Sequence, residues 1–299
     1  MIARTLSFTS FGKLSYHLKQ LVWDGENDVH YTFPIEDISF VFIDSNRIEI
    51  SSKTLQMLSE NNVAVIICDE AHMPSAQILP LSSHSTSQEI VEAQLNVTEA
   101  VNGRIWKKII RQKIINQASL LEGYDNDASK KLLALSERVK NYDPENLEAQ
   151  AARIYFRTLA PNEEFTRNRF GNWPNPVLNY GYMVLRAAVA RACVGSGLIC
   201  IKGIHHHNRY NAFCLADDVM EPYRPFVDQY VFDRIMAEFP SQEEMTKEMR
   251  AVLLEFLTCD VKINDKRSPL MVALSYTTAS LARYYQEQIT ELSLPSFVT

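Results

Sequence analysis

The sequence has few cysteines, no long apolar run and no excess of basic residues, and each shortage argues against a class of protein. The five cysteines form no Cys-x-x-Cys pair, which argues against a zinc site or a disulfide framework and favours reduced side chains in a cytoplasmic protein. No run of 18 or more apolar residues occurs, so we expect no membrane span and no membrane partner. The N-terminal MIARTLSFTS lacks the apolar core of a secretory signal.

Acidic residues outnumber basic ones in this chain of 299 residues. Lys and Arg total 30 and Asp and Glu total 36, for a formal net charge of −6. This balance argues weakly against a nucleic-acid partner, because phosphate binding needs local positive charge. A basic face segregated from the acids would still bind DNA, and a metal site would itself be locally acidic. The apolar content of 46% and charged content of 22% are typical of globular proteins, and the length allows two domains.

Two regions of different character follow one another along the chain. Residues 1–80 carry short runs of β-branched and aromatic residues, which predict a small β-rich, β-sandwich-like domain with a short helix over 52–61. The stretch 71–86 loses periodicity and is predicted to be a linker, of which 81–86 joins the two domains. Helical patterns fill 87–299 and predict a larger all-α domain, so the fold class is α+β.

The helical region contains recognisable start and stop signals. Asn175-Pro176 is typical of an N-cap followed by the first helical residue, and the apolar helix that it opens is expected to end near Gly195. Ser241 and Glu244 form a potential capping box for a later helix. Further helices are predicted over 87–121 (one long helix or two), 126–140, 145–159 and about 270–291.

A row of basic residues is expected on one face of a helix within 87–121. Its members recur at i, i+3, i+4 and i+7, and isoleucines and a tryptophan take the opposite face. A solvated helix face is the simpler interpretation, whereas a straight row of cations with no acid nearby also suits a phosphate backbone. The candidates for DNA binding are Arg104, Lys107, Lys108 and Arg111 of this row, with Arg169 and Arg209 from elsewhere in the chain.

Imidazoles and carboxylates are concentrated in the segment Gly203–Pro225. Three of the seven histidines lie consecutively at 205–207, and Asp217, Asp218 and Glu221 follow them. A hard divalent ion prefers oxygen ligands, and Mn²⁺ and, less readily, Mg²⁺ accept one imidazole. A solvated histidine loop and a helix-capping aspartate are simpler interpretations of each feature alone. Their density within one short segment favours a metal site.

A glutamate lies beside the apolar stripe of the predicted helix 145–159. Glu148 is next to Leu147 and Ala151, which recur at helical spacing. The simpler interpretation is a boundary glutamate paired with an arginine, since a buried, unpaired glutamate is rare. The alternative is a carboxylate held in a roomy pocket to bind a cation.

Three segments together resemble a known family. They read FGNWPNPVLNYGY over Phe170–Tyr182, GIHH over Gly203–His206 and NAFCLADDVMEPYRPFVD over Asn211–Asp228. This combined pattern resembles the CRISPR-associated spacer-acquisition integrases, the larger of the two proteins that insert new spacers into a CRISPR array. The wording around the histidines is most similar to the type II branch. The match is strong over 145–230, and a β-rich start followed by helices is consistent with it throughout.

The resemblance implies a metal site and an activity. The family's metal ligands correspond here to Glu148, His206 and Glu221, with Asp218 at the position of a supporting acid and His205 as the alternative histidine. These residues would hold one Mg²⁺ or Mn²⁺ for attack of a DNA fragment's 3′-hydroxyl on a phosphate at the edge of a repeat. His206 acting as a general acid or base remains an alternative to ligation.

The resemblance also implies partners. They are a second copy of the chain, a small dimeric protein of the same adaptation module, and double-stranded DNA as spacer fragment and repeat, with the type II effector machinery as a further expected contact. The β-rich domain would serve dimerisation and DNA bracing. Two other functions remain open at this stage: a metal-dependent nuclease that only hydrolyses branched or single-stranded DNA, and a non-catalytic DNA-binding scaffold.

Overall fold

Strands fill the first part of the chain and helices most of the remainder in the computed structural model of the protein. The structure describes residues 4–80, 84–160, 165–168, 170–240, 242 and 244–298. The contacts divide the chain into two units, Met1–Ser83 and His84–Thr299. A strand-rich unit followed by a mainly helical one confirms the predicted α+β fold. No helix in the described part of the chain is long and apolar enough to cross a membrane.

The first unit is built from two sheets and a helix. Its elements are β1 (Arg4–Phe8), β2 (Gly12–His17), β3 (Gln20–Gly25), β4 (His30–Pro34), β5 (Ile38–Ile43), β6 (Ile48–Ile50), α1 (Ser52–Glu60), β7 (Ala64–Cys68) and β8 (Pro74–Ile78). The sheet orders are β1-β5-β7-β8 and β4-β3-β2-β6. One apolar core joins them, with Leu14 and Trp23 from one sheet, Val41 and Val65 from the other, and Leu58 from α1. A core shared by two sheets is what a β-sandwich-like domain requires.

Strand β8 corrects the prediction of a linker from residue 71. It pairs antiparallel with β7, with Ala76 opposite Ile67. Because it is an edge strand that begins at a proline and has two consecutive exposed residues, Ser75 and Ala76, it carries no apolar alternation that a sequence pattern would reveal. Residues 81–83 of the predicted linker lie outside the described residues.

Helices dominate the second unit. They are α2 (Ser87–Asn96), α3 (Glu99–Leu121), α4 (Asn126–Arg138), α5 (Leu147–Leu159), α6 (Asn175–Gly195), α7 (Cys214–Val219), α8 (Arg224–Gln229), α9 (Met236–Glu238), α10 (Lys247–Leu254) and α11 (Leu270–Tyr285). Short 3₁₀ turns over Glu221–Tyr223 and Glu255–Thr258 and a π-helical stretch over Tyr230–Ile235 complete the helical path. Helix α3 packs against α4, α5 and the Glu221–Tyr223 turn, which makes it the element around which the candidate site is arranged.

A hairpin within the second unit differs from the all-α prediction. Strands β9 (Asp260–Ile263) and β10 (Lys266–Pro269) pair antiparallel across the two-residue turn Asn264-Asp265. Both turn residues have positive φ, at 49° and 60°, as a tight hairpin turn requires. The strands are only four residues long and rich in charge, so they lack the apolar run by which a strand is usually recognised.

Helix boundaries differ from the predicted ones in two informative places. Asn175 is the first residue of α6 and does not cap it, because its buried amide holds the preceding loop, accepting from the Asn168 amide at 2.9 Å and donating to the Thr166 carbonyl at 3.0 Å. Helix α10 begins at Lys247 with Thr246 as its N-cap. Ser241 of the predicted capping box lies outside the described residues.

Candidate active site

A buried lysine joins the two predicted glutamates. Lys113 Nζ donates to Glu148 Oε1 and to Glu221 Oε2, each at 2.5 Å. Glu148 lies in the first turn of α5 and Glu221 opens the 3₁₀ turn, so α3 brings them together by packing on both. The side chains of Lys113 and Glu221 are only 10% and 5% exposed. Glu148 is thus paired with a cation, which is a lysine and not the arginine of the simpler interpretation.

A second cation neutralises the more buried glutamate. Arg224 Nε lies 2.9 Å from Glu221 Oε1, and its guanidinium stacks 4.5 Å from the centroid of the Tyr182 ring. Burial acts to raise the pKa of Glu221, but the charges of Arg224 and Lys113 outweigh it and hold that pKa below its usual value. The Glu221 carboxylate therefore stays ionised although it is buried.

Asp218 fixes the turn that carries the histidines. Its carboxylate is fully buried and accepts from the backbone amides of Ile204 at 2.6 Å and His205 at 3.0 Å. His206 Nδ1 donates to Asp218 Oδ1 at 2.5 Å, which leaves Nε2 available for other contacts. This hydrogen bond raises the pKa of His206. His206 and Glu221 are also close enough for the charge on each to shift the pKa of the other.

A glycine permits the tight approach of this turn to Asp218. A Cβ at Gly203 would lie 2.4 Å from the His206 carbonyl oxygen and 2.9 Å from Asp218 Oδ2, closer than real Cβ atoms approach. The Gly-x-x-His spacing in the sequence therefore has a steric cause. Any larger residue at position 203 would push the His206 backbone away from its carboxylate partner.

The other two histidines of the triplet have different surroundings. The His205 ring stacks on the buried Trp106 ring at a centroid distance of 4.3 Å and an interplanar angle of 11°. It is therefore occupied by an aromatic contact, and His207 is exposed. Of the three, His206 is the one whose ring is oriented by a buried carboxylate, which favours it over His205 as the functional histidine.

The donor set fits a hard divalent ion, although an ammonium group now lies between two of its members. Two carboxylates with one imidazole whose second nitrogen is held by a carboxylate form a donor set typical of metal centres. Among the described residues, no three His, Cys, Asp or Glu side chains stand in a geometry that could hold a metal ion. Lys113 Nζ instead bridges Glu148 and Glu221.

The predicted basic row lines a cleft of about 570 Å³ on the helical unit. Contrary to the prediction, acids lie beside two of its members: Lys108 Nζ is 2.6 Å from Glu291, and an Arg111 nitrogen is 2.6 Å from Glu137. The other two members are the exposed Arg104 and Lys107. No ion pair joins either of these to another residue in the described part of the chain.

The two remaining DNA-binding candidates are not part of that row. Arg209 lies in the exposed loop after the histidines, with its guanidinium 4.6 Å from the centroid of the Tyr210 ring. Arg169 lies outside the described residues. Asp217, the third acid of the histidine segment, pairs with Arg186 at 3.0 Å and so takes no part in the Lys113 cluster.

Lys113 is not among the predicted site residues, although the sequence carries a signal for it. Lys113 lies four residues after Ile109 and three after Ile110, so it falls on the apolar face of α3, where a charged residue is rare unless it is paired. Asn116, one turn further on, also faces inward and donates to the carbonyl oxygens of Pro222 at 2.7 Å and Pro295 at 3.0 Å. Lys113 and Asn116, polar residues among the buried isoleucines of α3, mark the position of the site.

Known proteins of one family match most of this chain. The family model described as CRISPR associated protein Cas1 matches residues 6–257. The chain belongs to the Cas1 family. A CRISPR-associated endonuclease Cas1 of Neisseria meningitidis serogroup C (strain 8013) is 34% identical over 300 residues, which cover 100% of this chain and 97% of that protein. The relationship predicted from the histidine and tryptophan motifs is thereby confirmed at the level of the family.

Solved structures share the fold of this Cas1 chain. A casposase bound to its integration product superimposes with a TM-score of 0.77 at 20% identity, covering 96% of this chain and 92% of that one. A CAS1 protein from Thermotoga maritima superimposes with a TM-score of 0.75 at 13% identity, covering 99% of each chain. At these identities the likeness shows the fold alone.

Proposed function

We propose that this Cas1 protein inserts spacer DNA into a CRISPR array by metal-dependent strand transfer. The observation that carries the proposal is the convergence of Glu148 and Glu221 on one buried point, beside an imidazole that Asp218 orients. The relative from Neisseria meningitidis is named an endonuclease, and the casposase of similar fold is bound to an integration product. Both names support chemistry on DNA phosphodiesters.

The proposed reaction exchanges one phosphoester for another. The 3′-hydroxyl of a DNA fragment attacks a backbone phosphorus at the edge of a repeat, and the repeat-side 3′-hydroxyl leaves. One ester bond forms as one breaks, so the step is nearly isoenergetic, needs no nucleotide cofactor and is reversible on branched DNA. Glu148, Glu221 and His206 would hold one Mg²⁺ or Mn²⁺, which when bound polarises the phosphoryl oxygen.

The chain's own residues prepare this chemistry. Asp218 holds the His206 ring through Nδ1 and leaves Nε2 for another contact, while its bonds to the Ile204 and His205 amides hold the turn in place. Arg224 balances the charge of Glu221, so that the buried carboxylate is ionised before any ion arrives. The histidine turn and the charge of Glu221 are therefore set before an ion binds, and such preorganisation favours electrostatic catalysis of phosphoryl transfer.

The proposed partners follow from the family and the basic cleft. DNA would run along the cleft lined by the basic row, and a small dimeric protein would join two copies of a Cas1 homodimer. A Cas6-RT-Cas1–Cas2 complex has a region of the same fold, with a TM-score of 0.72 over 96% of this chain and 35% of that one. We further propose a cytoplasmic protein of a type II system, with a domain 1–80 that serves dimerisation and DNA bracing.

Strand transfer on a Y-shaped DNA that mimics a half-integrated product tests the proposal. Wild type with Mn²⁺ or Mg²⁺ should join two strands and release the flap. Glu148→Gln and His206→Ala should abolish joining, whereas His207→Ala, the control on an exposed neighbour, should retain it. Loss in His205→Ala with activity in His206→Ala would exchange the roles of the two histidines.

A purely hydrolytic nuclease is the second candidate, supported by the endonuclease name of the relatives. Water would replace the 3′-hydroxyl at the same site. Cleavage of the Y-shaped DNA to fragments without joined strands would favour this function. A non-catalytic scaffold would be favoured if Glu148→Gln left both metal affinity and DNA products unchanged while lowering stability.

A further inference from the structure

Lys113 occupies the point at which the two site carboxylates meet. Its ammonium group bonds Glu148 Oε1 and Glu221 Oε2 at equal distances of 2.5 Å. The remaining oxygen of Glu221, Oε1, forms an ion pair with Arg224. The ammonium therefore uses the carboxylate oxygens that face one another, and these are the ones that a shared cation would need.

The chemistry of the two cations explains why they compete. Two carboxylates held side by side in a poorly solvated place repel each other, and one would take up a proton unless a cation lay between them. A lysine ammonium is a compact point charge with three donors, so it satisfies both carboxylates in a geometry close to that of a small ion. It carries one charge, whereas a divalent ion carries two.

The Lys113 side chain can move while the backbone of α3 stays in place. Asn116, one turn further along α3, donates to the carbonyl oxygens of Pro222 and Pro295, which fastens the helix backbone beside the site. The four-carbon stem of Lys113 ends in its only charged group, so rotation of that stem withdraws the ammonium without displacing α3. The carboxylates keep their positions because α5 and the Glu221–Tyr223 turn also pack on α3.

We propose that Lys113 is a positioning residue that takes the place of the divalent ion between Glu148 and Glu221, and that the ion enters by displacing its ammonium. The inference rests on the proposed function and deepens it. Lys113 keeps the two carboxylates side by side in the metal-free protein. The same contact lowers the affinity for the metal ion, because the ion must displace the ammonium group. Removal of its charge should therefore lower the thermal stability of the metal-free protein and raise the affinity for the metal ion.

Mn²⁺ binding and thermal unfolding of full-length Lys113→Met test the inference. Without metal, in EDTA, the variant should melt about 5 °C or more below wild type, because two carboxylates lose a shared partner. By titration calorimetry, Mn²⁺ should bind it about tenfold or more tightly than wild type, since a like charge next to the ion is gone. Mn²⁺ should also raise its melting temperature further than that of wild type.

Two further variants make the test specific. Lys113→Gln keeps most of the length and a hydrogen-bond donor without the charge, so it should bind Mn²⁺ more tightly even if Lys113→Met folds poorly. Lys131→Met, which changes an exposed lysine on α4, should alter neither Mn²⁺ affinity nor melting temperature. Equal or weaker Mn²⁺ binding by both Lys113 variants overturns the inference.

The outcomes also separate this inference from the proposed function. Strand joining by wild type together with unchanged Mn²⁺ affinity in the Lys113 variants would reject the displacement of Lys113 and retain the integrase. Absence of Mn²⁺ binding by wild type and by every variant would reject both.

Discussion

The Asp218 carboxylate accepts hydrogen bonds from the backbone amides of three successive residues, Ile204, His205 and His206. It also accepts one from the His206 ring. A carboxylate with so many donors is fixed in position, and it fixes its donors in return. We propose that Asp218 orients His206 for function, which is the supporting position that the family resemblance implies. The contribution of such a residue to catalysis is measurable separately from that of the ligands.

Asp218→Asn should lower strand transfer by about 10- to 100-fold, because one acceptor oxygen becomes a donor and the His206 ring loses its orientation. Steady-state joining on the Y-shaped DNA at saturating Mn²⁺ measures the effect. The control is Asp217→Asn, which changes the neighbouring carboxylate that pairs with Arg186. An equal loss in both variants would assign the effect to general disturbance of α7.

The raised pKa of His206 predicts a pH dependence of opposite sign for stability and for activity. The hydrogen bond to Asp218 raises this pKa, so the protonated pair stabilises the metal-free protein fully below the unfolded value of about 6.5 and the contribution is lost as pH rises through the folded pKa. Metal ligation needs neutral imidazole, so strand transfer should fall as pH decreases through the folded pKa. Nuclear magnetic resonance titration of His206 beside His207 locates that pKa.

The acid limb of the activity profile should move to lower pH in Asp218→Asn, because the partner that favours the imidazolium is gone. An unshifted limb, with the His206 titration unchanged, would mean that another group controls the activity.

The sequence suggests candidate metal ligands more readily than their counter-ions. Glu148, His206 and Glu221 are predicted as ligands because they stand at the positions of the family's motifs. Lys113 carries a charge on an apolar helix face, which signals a buried pair, but its partners lie 35 and 108 residues away along the chain. Only the packing of α5 and the 3₁₀ turn on α3 shows which acids it meets.

At the scale of elements, one buried carboxylate links three helices of the second unit. Asp228 on α8 accepts from the Tyr155 hydroxyl of α5 at 2.9 Å and from the Tyr182 hydroxyl of α6 at 2.5 Å. Burial raises the pKa of Asp228 to about 6. The Tyr182 ring also stacks on Arg224, which pairs with Glu221. The Asp228 network is therefore connected to the candidate site through Tyr182 and Arg224.

Two replacements of Asp228 should distinguish the contribution of its hydrogen bonds to stability from that of its charge. Asp228→Ala leaves two buried hydroxyls without their acceptor and should lower the free energy of unfolding by about 2–4 kcal/mol at pH 7. Asp228→Asn keeps one acceptor oxygen and should cost less. Urea unfolding of the three proteins measures both effects, and a Tyr155→Phe variant serves as the control that removes only one of the bonds.

The same carboxyl predicts a pH dependence of stability. Its folded pKa of about 6 exceeds the unfolded value of about 3.9, so its favourable contribution is full below about pH 4 and is lost as pH rises to about 6. Asp228→Asn should therefore show a smaller fall in the free energy of unfolding over that range than wild type. Identical slopes would contradict the raised pKa.

Elements with a clear apolar period are the predictable ones. Helix α6, which carries apolar residues on nearly every face, follows its predicted course, as does α1 with Ser51 as its cap. Strand β8 and the β9–β10 hairpin are determined by pairing with a neighbouring strand, and their own residues carry too little apolar pattern to reveal them. Helix α11 ends at Tyr285, earlier than the predicted end near residue 291.

At the scale of the whole molecule, a net charge of −6 coexists with a cleft lined by four basic residues. Two of these residues are already paired with acids, so the row is less cationic than its sequence indicates. The attraction of DNA phosphates should come mainly from the two cations without an acidic partner in the described chain.

Arg104→Glu with Lys107→Glu should therefore weaken DNA binding more than Lys108→Glu with Arg111→Glu, whose positive charges Glu291 and Glu137 already offset. Fluorescence anisotropy with a duplex at several salt concentrations measures this. The slope of log affinity on log salt should fall by about two in the first pair, since two phosphate contacts are lost. Equal weakening by both pairs would show that DNA displaces the acids from Lys108 and Arg111.

The residues that pair with Lys113 and Asn116 are far apart along the chain, so they are synthesised at different times. Helices α3 and α5 leave the ribosome well before residue 221, so Lys113 and Glu148 are able to pair while translation continues. Glu221 arrives 108 residues after Lys113, and Pro295, the second partner of Asn116, 179 residues after that amide. A nascent chain that does not yet include residue 221 consequently pairs Lys113 with Glu148 alone. Assembly of the Lys113 cluster thus waits for synthesis of the segment that carries Glu221.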